Sequence, residues 1–130
     1  MPHLQFDINI KLNDEDRSEF CDFVKVQFGR IMKTGTDHIA VSLREYEKGS
    51  LSLGRAKKNE GVCLMNLDLR KGRSDKQKRD LVDAYMNEVS KKFGVSVVNQ
   101  YVTFTSHTGA DFNLYERSLT NWKKNDDPLK

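Results

Sequence analysis

The feature that most limits how this chain can fold is an internal echo, in which a strand-helix-strand pattern occurs twice in the same order. Over 3–12 the apolar residues alternate as Leu4, Phe6, Ile8 and Ile10, which is the period of a strand with one buried face. Asn13 stands where an N-cap belongs. Phe20, Phe23, Val24, Phe28 and Ile31 then recur along one helical face, so the spacing predicts a helix over 14–32. After a turn at 33–37, Ile39, Val41 and Leu43 alternate through a second strand. The later part repeats the scheme with a strand over 62–69, a helix capped by Ser74, and a strand over 98–105. Laid on each other, the halves match Phe6 with Leu67, Ile8 with Leu69, Asn13 with Ser74, Asp14 with Asp75 and Phe20 with Leu81. A one-residue gap then brings Ile39 onto Tyr101. The second helix has the clearer signals: Ser74-Asp75-Lys76-Gln77 has capping-box form, Leu81, Val82, Tyr85, Val89 and Phe93 make an apolar face, and Gly94 is placed to end it.

Parallel pairing inside each half requires its helix as a crossover, and right-handed crossovers put both helices on one face of a four-stranded sheet. The expected fold is therefore α+β, a mixed sheet built from two β-α-β pseudo-repeats (1–46 and 61–119) with a connector over 47–60. A short strand is expected at 51–53 in that connector. With 130 residues, 37% of them hydrophobic, the chain supports one packed core, taken here as a single domain over 1–122. The segment 123–130 lacks an apolar period and is read as a mobile tail. The sheet face away from the helices is expected to carry His3, Gln5, Asp7, Asn9, Asn66 and Asp68. Such a face suits either solvent or an interface rich in hydrogen bonds, and the sequence leaves both open.

Charge narrows the function. Lys and Arg total 22 against 19 Asp and Glu, a net +3 with both signs mixed, which gives no basis for a nucleic-acid partner. The apolar runs are too short to span a bilayer and the start lacks signal-peptide character, so no membrane association is expected and the expected location is the cytoplasm. Cys21 and Cys63 fall in helix and strand patterns and read as buried thiols. His3, His38 and His107 have no metal-ligand spacing and no phosphate loop is present, so neither metal nor cofactor is expected. His107, within Ser106-His107-Thr108-Gly109-Ala110, has two readings, a residue that lines a pocket and a solvated loop side chain, and the second is the expectation.

Two short segments carry chemical potential. In Met1-Pro2, removal of the initiator methionine exposes a secondary amine that a modest downward shift leaves neutral, hence a base, near neutral pH. The bland alternative is a proline that merely begins a strand. Arg70-Lys71-Gly72-Arg73-Ser74 lies where a strand ends and a helix begins, so two guanidinium groups can converge on one anion, a carboxylate being the natural guest. The alternative is a solvated basic turn. Antiparallel pairing of the first and third strands would set Pro2 against 69–73 and join the two segments.

At these residues the chain resembles the tautomerase superfamily over nearly its whole length. Met1-Pro2-His3-Leu4-Gln5-Phe6-Asp7 and Asp37-His38-Ile39-Ala40-Val41 are similar to strands of the macrophage migration inhibitory factor (MIF) group. Gly72-Arg73-Ser74-Asp75-Lys76-Gln77-Lys78 resembles the turn of 4-oxalocrotonate tautomerase (4-OT), and Arg70-Lys71-Gly72-Arg73-Ser74 resembles the paired-arginine turn of cis-3-chloroacrylic acid dehalogenase. The resemblance implies a homotrimer and a cofactor-independent keto-enol isomerase acting on a small α-keto or unsaturated carboxylic acid. It implies Pro2 as general acid/base, Arg73 and Arg70 as carboxylate holders, and Lys33 as a further substrate-binding residue. The departures matter too. Thr103 and Leu114 stand where the dehalogenase has its water-activating tyrosine and glutamate, and its histidine is missing, so hydrolytic dehalogenation is not expected. Glu60-Gly61-Val62-Cys63 holds one cysteine where the MIF group has a pair. Decarboxylation or hydration on the same fold, and a non-catalytic signalling or binding trimer, are the alternatives.

Overall fold

The computed structural model describes residues 2–116 and Ser118; the expected tail lies outside the described residues. The elements are β1 (His3–Ile8), α1 (Asp14–Met32), β2 (Ala40–Glu45), β3 (Cys63–Arg70), α2 (Asp75–Phe93) and β4 (Gln100–His107). The sheet runs β2-β1-β3-β4, with β1 parallel to β2, β3 parallel to β4, and β1 antiparallel to β3. This is the doubled β-α-β plan that the sequence predicts.

Both helices begin where their caps dictate. The Asn13 side chain accepts from the Asp16 N–H at 2.8 Å, beside an acidic first turn of Asp14, Glu15 and Asp16 that suits the positive end of a helix dipole. Ser74 and Gln77 form the reciprocal capping box of α2. Gly94 ends that helix at φ +73, a left-handed conformation in which a side chain would be strained. The apolar faces of α1 and α2 meet over Phe6, whose ring stands edge-on to Phe20 at 5.1 Å and to Tyr85 at 5.5 Å between centroids. Tyr85 buries its hydroxyl without an orphan donor, because it donates to the Val24 carbonyl at 2.9 Å and so ties the two helices together.

Three expectations need correction. The gap that matched Ile39 with Tyr101 is unnecessary: β1 sets Leu4 beside Val41 while β3 sets Met65 beside Val102, so the repeat runs through Val41 and Val102 unbroken. Ile39 is 8% exposed against the core whereas Tyr101 is 53% exposed on the other face, so apolar likeness had paired side chains of opposite orientation. No strand forms at 51–53; the connector starts with a 3-10 turn at Lys48–Ser50 and continues irregularly. Nor does Asn9 sit on the open sheet face. Because β1 ends at Ile8 the alternation stops, and Asn9 turns inward at 4% exposure.

Asn9 instead clasps the connector. Its amide nitrogen donates to the Lys48 carbonyl at 3.2 Å and the Glu60 carbonyl at 3.4 Å, while its amide oxygen accepts from Val62 N–H at 2.6 Å. One side chain thereby closes both ends of a loop that lacks ladder bonds of its own. Asn9→Ala should cost about 1–3 kcal/mol, the usual penalty for leaving a buried backbone group unsatisfied. The loss should be local. Hydrogen exchange over 48–62 should quicken well before that of β1 and β3; uniform acceleration across the sheet would contradict the clasp.

Candidate functional site

The antiparallel register pairs His3 with Asp68, which brings Pro2, one residue earlier, level with Leu69 at the end of β3. Pro2 is buried and its carbonyl accepts from the Ala40 N–H at 3.1 Å, so the start of the chain is held between β2 and β3. Beyond Arg70 the backbone turns sharply at Gly72, with φ +107, to reach the Ser74 cap of α2. The Lys71 N–H donates to the His107 carbonyl at 2.8 Å and ties that turn to the end of β4.

Arg73 leaves the turn toward the end of α1, where its guanidinium donates to the Met32 carbonyl at 3.1 Å. Gln77 similarly donates to the Ile31 carbonyl at 3.2 Å. Two side chains from the start of α2 therefore satisfy carbonyls that the last turn of α1 leaves without intrahelical partners. Burial, with Arg70 close by as a second cause, pulls Arg73 down to about 10 from its ordinary value. Lys33, next after Met32, is exposed and closes α1 in a left-handed conformation at φ 55, its N–H bound to the Gly29 carbonyl. Topology thus gathers Pro2, Arg70, Arg73 and Lys33 at one end of the molecule, where β1 begins, β3 and α1 end, and α2 starts. Arg70, Arg73 and Lys33 each bring a positive charge there.

A neighbouring group was not legible in the sequence. Behind the basic turn lies a recess of about 500 Å³ lined by His3, Asp68, His107, Asp111 and Phe112. His107 is the last residue of β4 and the register partner of Arg70, not a solvated loop side chain. Its Nε2 lies 3.3 Å from Asp68 Oδ1, its Nδ1 lies 3.4 Å from Asp111 Oδ2, and its ring stands edge-on to Phe112 at 5.4 Å. Asp68 is itself fixed by Gln5 Nε2 at 3.1 Å and Asn66 Nδ2 at 3.4 Å. Asp111 and Phe112 follow His107 closely in the chain, but Asp68 with Asn66 on β3 and His3 with Gln5 on β1 are remote from it, so local spacing held no trace of these partners.

Other candidates stay outside the site. Burial pushes the Cys63 thiol up to about 12, and raises Cys21 as well, so both remain protonated near neutral pH. Among the described residues no cluster of His, Cys, Asp or Glu is arranged to hold a metal ion, and no helix is long and apolar enough to cross a membrane.

The same architecture occurs in solved structures. Macrophage migration inhibitory factor of Toxoplasma gondii superposes with a TM-score of 0.78 at 9% identity, covering 89% of this chain and 98% of that one. This chain has the tautomerase-superfamily fold. A fused 4-OT described as a symmetric trimer gives a TM-score of 0.79 at 16% identity over 91% of this chain and 95% of that one. Malonate semialdehyde decarboxylase, described with decarboxylase and hydratase activities, gives 0.70 at 17% identity over 85% and 88%. No model of a protein family matches the chain, and no curated protein does.

Two guanidinium groups that oppose each other, one of them desolvated, make an anion welcome at this end of the fold. Malonate added at constant ionic strength should raise the melting temperature, since a ligand at a hundred times its Kd stabilises by about 2.7 kcal/mol. Arg70→Met should shrink the malonate-induced rise. An equal rise in both proteins would mean that the paired arginines do not hold the anion.

Proposed function

We propose that this protein is a member of the tautomerase superfamily and a cofactor-independent isomerase, which interconverts the keto and enol forms of a small α-keto or unsaturated carboxylic acid. The observation that carries this reading is the placing of Pro2 beside the end of β3, where the chain turns through Arg70 and Arg73. Once Met1 is removed, the Pro2 nitrogen lies in a buried, cation-flanked position that disfavours its protonated form, and it abstracts and returns the proton next to the substrate carbonyl. Arg73 and Arg70 hold the carboxylate, and their charge also steadies the negative character that develops on the enolate. Lys33, exposed at the same end, adds to the attraction of anions.

The assembly in this reading is a homotrimer. Support comes from the sheet itself, since both helices cover one face and leave the polar face and the edge strands β2 and β4 for partners. The fused 4-OT neighbour is also described as a symmetric trimer. A second reading, decarboxylation or hydration with protonated Pro2 as the acid, is favoured by the likeness to malonate semialdehyde decarboxylase.

Mutants of the two halves of the site should fail differently. Pro2→Ala keeps an amine but alters its basicity and geometry, so kcat on phenylpyruvate should fall by roughly 10²–10⁴-fold, the range for general acid/base groups. Arg73→Ala should lower kcat/KM by roughly 10–150-fold for carboxylate substrates, equivalent to losing a charge-assisted bond of about 1.5–3 kcal/mol. Uncharged ketone analogues should be almost insensitive to Arg73. Intact mass of natively expressed protein should show Met1 removed. Retained Met1 together with full activity of Pro2→Ala would falsify the proline mechanism and leave a binding protein.

A further inference from the structure

We infer that His107 is a second catalytic acid/base of the site, working opposite Pro2 and oriented by Asp68. The inference rests on the tautomerase reading and adds to it the group that exchanges a proton with the substrate oxygen. Moving a proton between carbon and oxygen is faster with a group at each atom. A single amine reaches both only by travelling or by using water. His107 ends β4 at the end of the sheet where Pro2 leads into β1. It lines the recess together with His3, the residue that follows Pro2, and it is the strand partner of the carboxylate-holding Arg70.

The two carboxylates facing the ring are not equivalent. Asp68 is mostly buried, with its side chain 21% exposed, and is locked by Gln5 and Asn66, so it serves as a fixed orienter at Nε2. Asp111 is 57% exposed on a short 3-10 turn (Gly109–Asp111) and stands 3.4 Å from Nδ1, a long contact. A substrate oxygen can take the place of Asp111 at Nδ1 while Asp68 keeps the ring in position. The result is a carboxylate-imidazole-substrate line of the kind that sets both tautomer and direction in other acid/base enzymes.

The step balances. The Pro2 nitrogen takes a proton from the carbon next to the carbonyl, and the C–H electron pair becomes the C=C bond. The carbonyl π pair moves onto oxygen, which receives the Nδ1 proton of the imidazolium, giving the enol, a protonated Pro2 and a neutral His107. Ketonisation is the reverse, and after either direction solvent resets the two groups.

The test follows exchange of the C3 protons of phenylpyruvate for deuterium, alongside ketonisation kinetics, in the full-length protein. His107→Gln should lower kcat by roughly 10²-fold, the low end for an acid/base group, with little change in KM. In His107→Ala, added imidazole should restore a concentration-dependent part of kcat, which a merely structural role would not permit. Asp68→Asn, which keeps the imidazole but removes its orienter, should lower kcat less than His107→Gln does. If His107→Gln keeps wild-type kcat while Pro2→Ala does not, the role of His107 is wrong and the proline reading stands. If His107→Gln loses activity but imidazole restores none to His107→Ala at any concentration, His107 only supports the fold. If the wild-type protein exchanges no protons at all, both readings fall together.

Discussion

The antiparallel pairing of β1 with β3 is the contact on which the rest of this molecule depends. It joins two halves that each lack a complete core, burying Leu4 and Phe6 against Leu67 and Met65 beneath the helices. Because the strands run oppositely, the beginning of one stands beside the end of the other. Were they parallel, the six residues of β1 would carry Pro2 to the far end of the sheet from Arg70, about 20 Å away at the usual strand rise. The same pairing that completes the core therefore sets Pro2 next to the paired-arginine turn, and no separate device is needed to bring them together.

Around that junction the electrostatics divide sharply. Toward the helices lies Arg73, which feels the like charge of Arg70 and loses part of its hydration by packing against the end of α1. Toward the open face lie Asp68 and Asp111 with the imidazoles of His3 and His107. A region of one sign thus stands beside a region of mixed sign. The cost of holding like charges together is carried by the fold, and Met32, Ile31 and the Ser74 cap are the contacts that keep the turn in place.

The open face is polar yet ordered. Arg44 bonds Asp7 at 2.8 Å and Gln5 at 3.3 Å, His3 bonds Ser42 at 2.8 Å, and Thr103 and Thr105 both donate to Asn66 at 3.2 and 3.3 Å. These pairs run across the face from β2 to β4. A surface whose hydrogen bonds are already made can be covered by another sheet at less desolvation cost than a solvated one.

The sequence by itself determined the elements and their order, because strand and helix periods, the Asn13 and Ser74 caps and the Gly94 stop are local and each names its own structure. It also singled out two segments, Pro2 and the Arg70 to Ser74 turn, since a proline at a strand start and a paired-arginine strand end are legible as single motifs. Beyond that, reading along the chain failed wherever the deciding partner was distant. Ile39 and Tyr101 look alike in a pattern of apolar residues but face opposite sides of the sheet, and orientation belongs to strand pairing. Asn9 read as one more alternating polar residue, yet its amide is taken up by Lys48, Glu60 and Val62, which local periodicity cannot see. His107 read as a loop histidine because Asp68 and Asp111 reach it only when β3 and β4 lie side by side and the following turn folds back. Periodicity reports the burial of a side chain's own face, whereas the partner of a polar group is set by which strands the whole chain brings together, and that was decided by the tertiary structure alone.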